Sequence, residues 1–180
     1  METQPLWYAR HVADDPRRVL RHELQRFFDH RDVTAWIGCD VMIVHGDVAL
    51  HADVAVAIGA DPRTRRAWVS AVEGRSIDAV FRFVSGGARL PALTSAARHV
   101  ELGAREAFVF HPRDAALWGF RGEGRGVDAI PVGAGGALRS RALGAELLPL
   151  PGRLRLVRAA DELTAVIERL ERALDRVHVA

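Results

Sequence analysis

A chain of 180 residues is one domain by length, and nearly half of it is apolar, enough to bury a substantial core. All 25 basic residues are arginine, because the sequence holds no lysine, and the formal net charge of +2 is too small to argue for a nucleic-acid partner by itself. The longest apolar runs, such as Val54–Ile58, are strand-sized, and Met1–Tyr8 shows no basic stretch ahead of an apolar one; neither a membrane span nor a signal peptide is expected, and the lone Cys39 fits a reducing cytoplasm as a small buried hydrophobe.

Asp14-Asp15-Pro16 is a helix start, an acidic N-cap followed by proline at the first helical position. Val19, Leu20, Leu24, Phe27 and Phe28 then recur at helical spacing, which predicts a helix over 15–30. Val33–Val44 is β-branched and apolar, broken at Gly38 and Asp40; His45-Gly46-Asp47 turns, and Val48–Ile58 returns as an antiparallel partner. Gly59–Gly74, with Asp61-Pro62 and several arginines, reads as a surface loop. A strand over Asp78–Val84 precedes a helix over Leu90–Leu102 that stops at Gly103, a C′ glycine. Short strands follow at Ala107–Phe110 and Ala115–Phe120, then a glycine-rich loop or irregular hairpin over Gly122–Gly136. Leu147–Leu156 predicts one more edge strand, interrupted by prolines. A final amphipathic helix is expected over about 161–178, with Leu163, Val166, Ile167, Leu170, Leu174 and Val177 in one stripe. Part of that stripe repeats every seven residues, as a helix facing a partner would; packing on its own sheet is the commoner arrangement.

These elements make an α+β domain, with no internal repeat or long linker to divide 1–180. Four segments carry a more specific signal. His51-Ala52-Asp53-Val54 runs into an apolar strand ending at Gly59, and Arg65-Arg66-Ala67-Trp68 is followed by Glu73-Gly74. Ile77-Asp78-Ala79-Val80-Phe81-Arg82-Phe83-Val84-Ser85 comes next, then Glu101 through Arg105-Glu106 to His111-Pro112. In this order they resemble the Uma2 family, whose members are described as candidate restriction endonucleases with a PD-(D/E)xK nuclease core. The similarity covers about residues 14–160.

The resemblance implies a mixed β-sheet flanked by helices and a Mg²⁺-dependent cleavage of phosphodiesters. That chemistry needs two or more carboxylates on the ion and a lysine or equivalent beside the attacking water. Asp53 keeps the first carboxylate and is the one metal ligand the resemblance carries over. The second carboxylate aligns with Arg82, whose guanidinium repels a divalent cation and stays charged at any relevant pH. The positions of the family's lysine and tyrosine are Ser95 and His99, and its later aspartate is His111. The expectation is therefore an inactive copy without a cofactor, retained to bind nucleic acid or protein, with Arg82, Arg65 and Arg66 as candidate phosphate contacts. It would act as a homodimer or paired with a relative. The competing expectation is an active endonuclease rebuilt around Asp53 and Asp78, with Mg²⁺ and help from Glu73 or a histidine. A transition-metal site on His51, His99 and His111 matches no established spacing.

Overall fold

The computed structural model describes residues 15–123 and 126–157, so the C-terminal amphipathic helix expected over 161–178 lies outside the described residues. Helix α1 (Pro16–Asp29) begins where the sequence places it. The Asp15 carboxylate accepts the amide of Arg17 at 3.0 Å, and Pro16 occupies a position whose N–H would have no helical partner. Leu20, Leu24 and Phe28 form its buried stripe. Strands β1 (Ala35–His45) and β2 (Val48–Ile58) pair antiparallel through a tight turn, where Gly46 takes a φ of 56° that side chains disfavour.

The predicted loop over 59–74 is more ordered than its composition suggests. Strand β3 (Ala67–Val69) pairs parallel to β1, and a single helical turn, α2 (Ser70–Glu73), follows. So short a strand has no periodicity to read; it forms because Trp68 is fully buried and donates its indole N–H to the Arg75 carbonyl at 3.2 Å. Strand β4 (Ala79–Phe83) lies antiparallel to β2 and parallel to β5 (Glu106–His111), with helix α3 (Arg89–Glu101) as the crossover. Strands β6 (Ala116–Glu123) and β7 (Gly126–Ala129) complete a mixed seven-stranded sheet in the order β3-β1-β2-β4-β5-β6-β7.

The single edge strand expected over 147–156 is instead a hairpin. Strands β9 (Ala145–Leu150) and β10 (Arg153–Val157) meet at Pro151-Gly152, and with β8 (Leu138–Ser140) they make a second, antiparallel sheet. Proline marks the turn between two strands here. One face of the large sheet, through Val54, Val56, Phe81 and Phe108, packs on α1 and the leucines of the small sheet. The opposite face, through Ala55, Ala57, Val80 and Val109, packs on Ala96 and Val100 of α3. Cys39 is half-buried against the first of these cores, and burial pushes its thiol pKa up. No described helix is long and apolar enough to cross a membrane.

Candidate functional site: a closed fork between two strands

Ladder pairing between β2 and β4 runs from Val56↔Ala79 to Val54↔Phe81 and then stops. Beyond that point the two strands diverge, and their backbone groups need other partners. The inward–outward alternation slips at the same level. Val54 and Val56 face the α1 core but Ala52 faces the α3 core; on β1, Ile37 faces the first and Val41 and Ile43 the second. Between them Asp40 takes a φ of 54°, the left-handed conformation that lets the strand reverse its faces while keeping register. This is the physical content of the break at Asp40 visible in the sequence.

Side chains from the positions the family resemblance singles out fill the fork. The Asp53 carboxylate, 8% exposed as a residue, accepts the freed amide of Phe83 at 2.8 Å. Arg82 stands beside it, with Nε 3.6 Å from Asp53 Oδ2, an ion pair without a hydrogen bond. Its Nη1 donates to the His51 carbonyl at 2.9 Å and to His51 Nδ1 at 2.5 Å. With Nδ1 accepting, the ring proton sits on Nε2, which donates to Asp40 Oδ1 at 2.6 Å. That bond to His51 lowers the pKa of the Asp40 carboxyl.

His99 reaches the same place from α3. It is fully buried, and its Nε2 lies 3.1 Å from the His51 carbonyl, which can only accept. Its Nδ1 is buried without a hydrogen-bond partner, and burial pushes the imidazole pKa down to about 4, so the ring is neutral beside Arg82. Ser95 lies one turn earlier on α3, half-buried. Among the residues named from the sequence, the structure thus gathers Asp53, Arg82, His51 and His99.

The others lie elsewhere. Asp78 precedes β4 and Arg82 sits within it, roughly 13 Å apart at the strand rise. Asp78 is buried in its own network, accepting from the Ile58 amide (2.8 Å), Arg75 (3.0 Å) and Arg105 (3.3 Å). It closes the loop entering β4 and does not converge with Asp53. Glu73 is clasped at both oxygens by Arg65 (2.7 and 3.1 Å), which lowers its pKa. Arg65 also lies over the rings of Trp36 and Trp68, and its side chain is only 7% exposed, so it is a structural arginine and not a free phosphate contact. Arg66 is exposed. His111 is engaged with the turn after β5, where its Nδ1 accepts the Asp114 amide at 3.2 Å.

The donors at the fork do not fit a divalent cation. Mg²⁺ wants several hard oxygens in a near-octahedral set. Among the described residues, Asp53 is the only carboxylate inside the fork; one of its oxygens is held by Phe83, and a guanidinium stands beside it. Among the described residues, no group of three or more histidine, cysteine or acidic side chains is arranged so that it could hold a metal ion.

One buried polar centre was not anticipated. Glu106, 2% exposed, accepts from Ser140 Oγ (2.5 Å) and the amides of Arg141 (3.0 Å) and Ala142 (3.3 Å), and pairs with Arg121 at 2.9 Å. It fastens β5 to the small sheet. Its sequence signals were a glutamate at the start of a run of strand residues and its place in the Arg105-Glu106 segment of the family resemblance, neither of which shows what it binds.

No family model matches the sequence, and no curated protein matches it. Among solved structures, the fold is similar to that of a candidate nuclease belonging to DUF820 from Anabaena variabilis. The TM-score is 0.54 at 11% identity, over 79% of this chain and 76% of that one. At that identity the likeness is one of fold, and the fold is nuclease-like.

Proposed function

We propose that this protein is a nuclease-fold member of the Uma2 type that no longer cleaves, and that it holds nucleic acid by its phosphate backbone. The observation that carries the first half is Arg82. A permanent cation occupies the β2–β4 fork beside Asp53 and is bonded to His51, where the family's chemistry would set a second carboxylate on Mg²⁺. The second half is supported by arginines such as Arg18, Arg21 and Arg66, which are exposed and pair with no carboxylate among the described residues. Nucleic-acid affinity is dominated by such phosphate contacts and needs no metal.

The test is a cleavage assay on supercoiled and single-stranded DNA with Mg²⁺ or Mn²⁺, run beside Asp53→Ala. No cutting by either protein, together with salt-sensitive binding, is the expected result. Cutting by the wild type that vanishes in Asp53→Ala would overturn the proposal and mean a site rebuilt around that aspartate.

A further inference from the structure

Helix α1 is a ridge between two basic grooves. Successive helical residues advance by about 100°, which puts Leu20, Leu24 and Phe28 on one face, the face that is buried. Arg18 and Arg21 fall about a quarter-turn to one side of it, where they line a groove of about 760 Å³ that ends at Cys39 and Asp40. Arg26 points outward, about 160° from the buried face and turned toward the other side, where it lines the rim of a groove of about 560 Å³ whose far wall is Arg153 and Arg155 of β10. Those two arginines are two apart on the strand and so point to one face. All five are exposed, and among the described residues no carboxylate pairs with any of them.

Of the acids nearby, Asp15 binds Arg17 and caps the helix, so its charge is matched. Asp40, Asp29 and Glu23 keep theirs, because His51 and Gln25 donate as neutral groups, but the arginines lining each groove outnumber the acids that line it. The positive charge therefore lies in two tracks, one along each side of the helix.

Resting on the reading that this protein holds nucleic acid, we propose that α1 is its duplex-binding element. The helix lies in the major groove of B-form DNA, with Arg18 and Arg21 on one phosphate backbone and Arg26, Arg153 and Arg155 on the other. An α-helix with its side chains is about 10–12 Å across, and the B-form major groove is about 12 Å wide. Duplex RNA is excluded by its deep, narrow major groove. A single strand needs one track with aromatic platforms. The aromatic side chain of the second groove, Phe27, has its ring covered by the Arg31 guanidinium at 4.9 Å.

Fluorescence anisotropy of the full chain with a B-form duplex, titrated with salt, tests this. Each phosphate contact adds about 0.9 to the slope of log K against log salt. Arg18→Ala/Arg21→Ala and Arg153→Ala/Arg155→Ala are each expected to lower the slope by about 1.8. Arg18→Lys/Arg21→Lys keeps the slope and shows that a lost contact, not a lost fold, is being read. A slope unchanged in either alanine pair, or equal competition by single-stranded DNA, duplex RNA or polyglutamate, would overturn the ridge while leaving nucleic-acid binding standing. No binding of the wild type to any nucleic acid would overturn both.

Discussion

Arg82 and His51 are joined twice across the mouth of the β2–β4 fork, once through the imidazole ring and once through the backbone carbonyl. One nitrogen, Nη1, makes both bonds, and it carries two hydrogens with which to do so. Strand divergence frees the carbonyl, and the residue at the expected second-carboxylate position caps it. The residue that, on the proposed reading, stands in place of a metal-binding carboxylate thus also supplies a strand cap.

Arg82→Glu is expected to lower the melting temperature in EDTA. It leaves His99 as the remaining side-chain donor to the His51 carbonyl, removes the donor to His51 Nδ1 and sets two carboxylates together, at about 2 kcal/mol, or about 4–8 °C at this length. Mn²⁺ should restore part of that loss in the variant by binding the folded state, and leave the wild type unmoved. A wild-type melting temperature that climbs several degrees with Mn²⁺ would show that the fork already accepts a cation.

His99 gives a pH dependence of definite sign. Its folded pKa is about 4 against 6.5 for the free side chain, so the unfolded chain binds the extra proton between those values. Stability from this group is complete above pH 6.5, falls as the pH drops toward 4, and amounts to about 3 kcal/mol in all. Urea midpoints measured from pH 7 to pH 4 should fall steeply in the wild type and less steeply in His99→Leu. Parallel curves would refute a buried neutral imidazole.

Glu106→Ala leaves the buried Arg121 without its counter-charge and strands the amides of Arg141 and Ala142. A loss of about 3–5 kcal/mol in chemical denaturation is expected. Glu106→Gln, which keeps the shape and the acceptor oxygen, should lose less than half as much. The order of the two midpoints separates an electrostatic latch from simple packing.

Arg65→Lys removes a forked contact to Glu73 and a planar group lying over two indoles. Lysine reproduces neither, so the cost is about 1–2 kcal/mol, with a change in tryptophan emission from Trp36 and Trp68. The salt slope of DNA binding should stay at the wild-type value. A slope reduced by about 0.9 would return Arg65 to the phosphate contacts.

Much of the large sheet was legible because its signals are local. Asp15-Pro16 sets the start of α1 and Gly103, with a φ of 107°, follows the end of α3. The runs of Val, Ala and Ile around Asp53 mark a strand buried on both faces. Strands β3 and β8 were not legible, since three residues carry no period and their pairing depends on distant partners. At the site, the pairing of Arg82 with Asp53 followed from the two aligned strands of the family resemblance. The role of His51 did not, because it depends on where the β2–β4 ladder stops. Asp78 looked like a second carboxylate of the site, but a strand's length separates its surroundings from those of Asp53.

Leu138, Leu147 and Leu154 of the small sheet share one core with Val54, Phe81 and Phe108 of the large one, and Glu106 bolts the two together. The small sheet therefore cannot melt as a separate foldon: amide protons in β9 should exchange as slowly as those in β5. A fragment ending at Ala129 would keep every strand of the large sheet and still expose its apolar face to water, so the nuclease-like sheet is inseparable from the hairpin that closes it.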